Sequence, residues 1–141
     1  MKFRNIGYWV ATGHVALAFA FGGALDVSRS PQVIEGMAHL GYPAYVATLI
    51  GIWKLLGAVA VVVPGFPRIK EWAYAGMFFD LTGAAVSHAA SGDPTGNVLT
   101  PIILLAIVGA SYALRPDNRR LAGPPASERA DAAGLAAARA A

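Results

Sequence analysis

The sequence contains no cysteine and little charge of either sign. Without cysteine there is no disulfide, no thiol redox pair and no thiolate metal site. Only 13% of the residues are Asp, Glu, Lys or Arg, and 56% are hydrophobic; an average soluble domain carries roughly 25% charged residues. So few charges on 141 residues cannot shield that much apolar surface from water. Catalytic signatures are missing as well. No H-E-x-x-H, glycine-rich phosphate loop or serine nucleophile elbow occurs, and the three histidines do not share metal-ligand spacing on one helix. The net charge of +3 comes partly from arginines near the C-terminus. They form no basic stripe interleaved with aromatics, which argues against nucleic acid as a partner.

What the sequence has is long apolar runs. Four meet the length needed to cross a bilayer, roughly 17–25 residues: Asn5–Leu25, Pro43–Val63, Glu71–Ala90 and Asn97–Arg115. The apolar stretch from Ile6 to Leu25 is longer than a signal-peptide core of about 7–15 residues, and three more spans follow, so it reads as a retained helix. Pro64-Gly65-Phe66-Pro67 and Ser91-Gly92-Asp93-Pro94 are tight breaks. The longer connection Asp26–Tyr42 contains Ser30-Pro31, a helix-start signal, followed by Val33, Ile34, Met37 and Leu40 at helical spacing. A short interfacial helix and a plain loop both fit it. The expected fold is all-α: a four-transmembrane-helix antiparallel bundle over residues 1–115, then an Ala/Arg-rich mobile cytoplasmic tail over 116–141.

Lys and Arg in short loops set orientation. Lys2 and Arg4, Arg68 and Lys70, and Arg115, Arg119 and Arg120 fall on one side; Arg29 stands alone on the other. Both termini are therefore expected in the cytoplasm, with the chain multi-pass in the inner (plasma) membrane.

Three ionisable residues sit inside these spans, where each needs a partner or a purpose. At 1.5 Å of rise per residue, His14, Lys54 and Asp80 lie roughly 14–15 Å from the inner face, near the midplane. Small residues flank each at helical spacing: Gly7, Ala11 and Ala18 by His14, Gly51, Gly57 and Ala58 by Lys54, Gly76, Gly83 and Ala84 by Asp80. Such faces let helices approach closely. A Lys54–Asp80 ion pair with His14 nearby is therefore expected as a buried polar site. His88, Ser87 and Asp26, with His39 and Asp93, would form an outer polar mouth. The same charges also fit a structural clamp that fixes helix register. No metal site is indicated, and no residue is assigned a catalytic role.

Trp53-Lys54-Leu55-Leu56-Gly57-Ala58, the stretch from Pro64 to Gly76, Phe79-Asp80 and Ser87-His88 resemble the DoxX-like family of small bacterial membrane proteins. The resemblance covers roughly Asn5 to Arg115. It implies a four-helix membrane bundle with a lysine in the second span and acidic and histidine positions in the third, matched here by Lys54, Asp80 and His88. It also implies a link to quinone-dependent and thiol redox metabolism, although a chain without cysteine performs no thiol exchange itself.

Three functions are compatible. The first is an enzyme or redox subunit acting on a membrane-dissolved molecule such as a quinone, with Lys54 facing a developing oxyanion and Asp80 or His14 moving a proton. The second is a non-catalytic anchor or assembly factor, working with a redox enzyme partner or as a homo-oligomer. A transporter ranks last, because no inverted repeat or paired broken helices are visible.

Overall fold

The apolar runs fold into helices whose ends fall where local chemistry stops them. The computed structural model describes residues 2–121 together with residues 123 and 138. It contains five α-helices in order: α1 (Lys2–Ser28), α2 (Pro31–His39), α3 (Ala44–Val62), α4 (Pro67–Ala90) and α5 (Thr95–Leu114), then a short 3-10 turn at Asp117–Arg119. α2 settles the ambiguity of the first connection as a helix. The Ser30 side chain accepts a hydrogen bond from the Val33 N–H, and Pro31 occupies the first turn, where its missing N–H has no helical partner to lose. No residue of α2 is buried.

Between α3 and α4 the chain turns through Gly65 and Phe66, both in the left-handed region (φ 77° and 51°). Glycine tolerates this freely, whereas a phenylalanine adopts it only when its surroundings impose it. The last carbonyls of a helix lack intrahelical partners, and here two cations supply them. The Lys70 ammonium donates to the Ala60 oxygen at 2.6 Å and to the Val63 oxygen. The Arg119 guanidinium donates to the Val61 and Val62 oxygens at 3.1 Å. Lys70 and Arg119 are consequently buried.

The four long helices form a ring in which α1 packs on α3 and α5, and α4 packs on the same two. Val15, Phe19, Ala58, Val61, Tyr74, Met77, Leu81 and Val108 make the core. The closest approach lies between α1 and α3. A Cβ on Gly23 would sit 2.8 Å from the Gly51 oxygen, and one on Gly51 would sit 2.8 Å from the Gly23 oxygen. Backbone meets backbone there, so neither position admits a side chain.

Three helices, α1, α3 and α5, are long and apolar enough to cross a membrane. The expected four is met in helix length but not in composition: α4 carries Arg68, Lys70 and Glu71 in its first turns and Asp80, Thr82, Ser87 and His88 beyond them. Two boundaries also differ. α1 runs past Leu25 to Ser28 and so includes Asp26. The packed unit does not stop at Arg115, since Arg119 is buried against α1 and α3. Most of the expected tail lies outside the described residues.

Gly51→Ala should lower stability by about 1–3 kcal/mol through overpacking, read as a fall in melting temperature in detergent. Gly83→Ala, where an added Cβ meets nothing within 4 Å, should leave it unchanged or slightly raised.

Candidate functional site

Lys54 projects from α3 toward that helix's N-terminus, the direction in which helical side chains lean. The Gly23–Gly51 crossing brings α1 beside it, and the ammonium donates to Asp26 Oδ2 at 2.9 Å. Asp80 on α4 approaches from the other side, its Oδ2 3.9 Å away, beyond hydrogen-bond reach. Among the described residues the Asp80 carboxylate makes no hydrogen bond. Three helices therefore meet at two carboxylates and one ammonium, each partly buried.

This arrangement corrects two placements. Asp26 is the tight partner of Lys54 rather than part of the mouth, because α1 continues far enough to carry it into the bundle. His14 does not join the cluster. Its side chain is exposed while Thr12 and Val15 face inward, and it lies nine residues below Gly23, about 14 Å of rise. Counting depth from Asn5 put it level with Lys54; the Gly23–Gly51 contact sets a different register between the two helices.

The cluster closes one end of a cleft of about 610 Å³ between α3 and α4. Phe19 and Met77 lie at its base, and Gly57 and Gly76 leave room in its walls. Along α3 its lining runs from Ile50 past Lys54 to Val63, thirteen residues or about 20 Å, and it ends at Phe66 and Trp72. Trp53, Leu56, Val59 and Trp72, all lining residues, are largely exposed, so the cleft opens outward from the bundle.

A second polar cluster lies at the end carrying α2. Asp93, in the turn between α4 and α5, accepts from His39 Nε2 at 2.6 Å and from His88 Nδ1 at 2.5 Å. Tyr42 and Ser87 share a hydrogen bond of 2.8 Å beside them. His88 and Ser87 thus belong to a mouth-like group, but without Asp26. Among the described residues no group of His, Asp and Glu side chains is arranged to hold a metal ion.

Residues 10–111 match the family model described as DoxX-like family. The match covers well over half of the chain and includes Asp26, Lys54, Asp80 and His88. The chain belongs to the DoxX-like family. Family membership and helices apolar enough to span a bilayer make it an integral membrane protein. No curated protein and no solved structure matches it.

This DoxX-like bundle also holds polar groups that pattern reading did not single out. Thr12 and Ser111 hydroxyls meet at 2.7 Å, and the Tyr74 hydroxyl reaches Ser111 at 2.7 Å, all in the interior. Arg115 pairs with Glu71 at 2.9 Å and stacks over the Tyr112 ring at 4.0 Å. Thr12 and Ser111 stand in apolar spans, and hydroxyls in that setting hydrogen-bond between helices; that was the available signal.

The hydrogen bond from His88, then that from His39, holds the Asp93 carboxyl below the usual carboxylate range. A carboxylate depressed in the folded state contributes stability that is fully present above its unfolded value, about 3.9, and is lost as pH falls through the folded value. The chain has no cysteine, so spin labels at Glu35→Cys and Gly96→Cys are specific. Their separation should hold constant above about pH 4 and broaden below it. With Asp93→Asn it should be broad at every pH.

Proposed function

We propose that the chain crosses the membrane four times as an antiparallel bundle with both termini cytoplasmic, and that it holds a small membrane-dissolved molecule in the α3–α4 cleft. The cleft carries this reading, because it is apolar along its length, open on the side a bilayer would cover, and charged at one end. Pockets for small molecules share that plan of apolar walls and a few convergent polar groups, with volumes of roughly 300–1,000 Å³.

A fourth crossing by α4 is supported by the fate of its charges. Lys70 lies against the α3 carbonyls, Glu71 pairs with Arg115, and Asp80 faces Lys54; Arg68 sits in the first turn. Charges met inside protein are the ones a span tolerates. The end of the bundle that gathers Lys2, Arg4, Arg68, Lys70, Arg115, Arg119 and Arg120 is the cytoplasmic one by the rule for basic loops. A quinone and a role in redox metabolism are carried by family resemblance; the cleft supplies a place for such a molecule.

Gly76 lines the cleft, and a Cβ there meets nothing within 4 Å. Gly76→Phe should fill the cleft from α4 without disturbing the fold. Mass spectrometry of the protein extracted in mild detergent should show a bound amphiphile in the unaltered chain and none in Gly76→Phe, with equal melting temperatures. The same molecule retained by both would remove the cleft from consideration.

The short Lys54–Asp26 pair at the tightest helix crossing supports a second reading, a clamp that sets register. Removing one member of a buried pair costs about 3–5 kcal/mol, whereas replacing all members together is often neutral. If the cluster is only a clamp, Lys54→Met should be unstable, and combining it with Asp26→Asn and Asp80→Asn should restore melting with bound amphiphile unchanged. A triple variant that folds but has lost its amphiphile supports the binding site.

A further inference from the structure

The charge balance at the end of the cleft narrows the class of molecule it accepts. Asp26, Lys54 and Asp80 together carry one excess negative charge. Lys54 and Asp26 satisfy each other at 2.9 Å, which leaves Asp80 as the unsatisfied group. Its carboxylate lines the cleft and makes no hydrogen bond among the described residues. A ligand that needs a donor, such as a carbonyl or an anion, would have to draw Lys54 away from Asp26. An anion would also face the Asp80 carboxylate in the cleft wall, with Asp26 behind Lys54. A positive charge needs no such displacement: it can sit on the side of Asp80 away from Lys54, whose ammonium is offset by Asp26 at 2.9 Å.

The walls supply the second part of the specification. Trp53 and Phe19 line the charged end, and Phe66 and Trp72 the other. Aromatic faces attract cations, most strongly when the cation is weakly hydrated. The remaining walls are aliphatic, so a hydrated inorganic ion would lose its water without replacement ligands. The complementary molecule carries its charge on an apolar body, as quaternary ammonium and aryl-phosphonium compounds do.

We propose that the α3–α4 cleft binds a lipophilic organic cation, with its charge set against Asp80 and its apolar body lying along the two helices. This rests on the reading of the cleft as a ligand site, and it specifies the occupant.

Tetraphenylphosphonium and tetraphenylborate test it directly, being nearly identical in size and shape and opposite in charge. The full chain is placed in nanodiscs of zwitterionic lipid, and binding is measured by equilibrium dialysis against empty discs. The cation should bind saturably, one per chain, and the borate should not bind above background. Asp80→Asn should weaken the cation about ten-fold or more, Asp80→Glu should retain it, and Gly76→Phe should abolish it at unchanged melting temperature.

Borate binding as tight as the cation overturns the proposal, as does cation affinity unaltered in a folded Asp80→Asn. A neutral alkylphenol arm separates the two levels of inference. If the phenol binds, is blocked by Gly76→Phe, and the cation does not bind, the cleft remains a ligand site and the cation assignment is wrong. If no probe binds and no amphiphile accompanies the extracted protein, both readings fall together.

Discussion

An ammonium group placed inside an apolar bundle must be met by a carboxylate, and in this protein the meeting is arranged by two glycines. Gly23 and Gly51 let the α1 and α3 backbones touch, and that contact carries Asp26 to within 2.9 Å of Lys54. With any larger residue at the crossing, the helices would separate and the lysine would lose its nearest counter-charge. Asp80 then completes a three-helix junction from α4. α3 and α4 also share the core through Ala58, Val61 and Met77, while a cleft stays open between them on the outward side. Register between α1 and α3 and the pairing of Asp26 with Lys54 both follow from the Gly23–Gly51 backbone contact.

The two ends of the bundle are fastened differently. At the α2 end, one aspartate ties two histidines from separate elements, holding a helix that buries no residue of its own. At the opposite end, cations do the work. Lys70 and Arg119 cover the carbonyls that end α3, and Arg115 joins Glu71 over an aromatic ring. Between them, the Thr12–Ser111–Tyr74 hydroxyls satisfy one another in the interior. These polar groups face one another across helices, while Leu17, Phe21, Val59 and Val86 are among the residues on the outward surface, together with His14.

Much of the helical framework could be read from composition and spacing. Runs of apolar residues and proline and glycine breaks mark the four long helices, while the Ser30-Pro31 signal left α2 open between a helix and a loop. Lys54 and Asp80 also stand out, because a charge inside a span requires explanation. The partners of those charges were less legible. Helix depth was counted from sequence boundaries, and these run a few residues short. α1 extends to Ser28, so Asp26 read as a loop residue when it is the nearest neighbour of Lys54. The same error placed His14 level with the lysine. Register between helices is fixed by side-by-side packing, here of Gly23 on Gly51, and no single helix encodes it. Arg119 was missed for a related reason. Near the end of a chain, an arginine after a proline looks like solvated tail until the orphaned carbonyls of α3 are considered.

That late arginine also imposes an order of events. Arg119 is separated from Val62 by 57 positions, so when α3 is first made its terminal carbonyls have no guanidinium to receive them. They stay hydrated, or share Lys70, until α4 and α5 have been synthesised. A ribosome must therefore deliver nearly the whole helical bundle before α3 can be sealed. Any nascent chain released earlier leaves the end of α3 without its guanidinium partner.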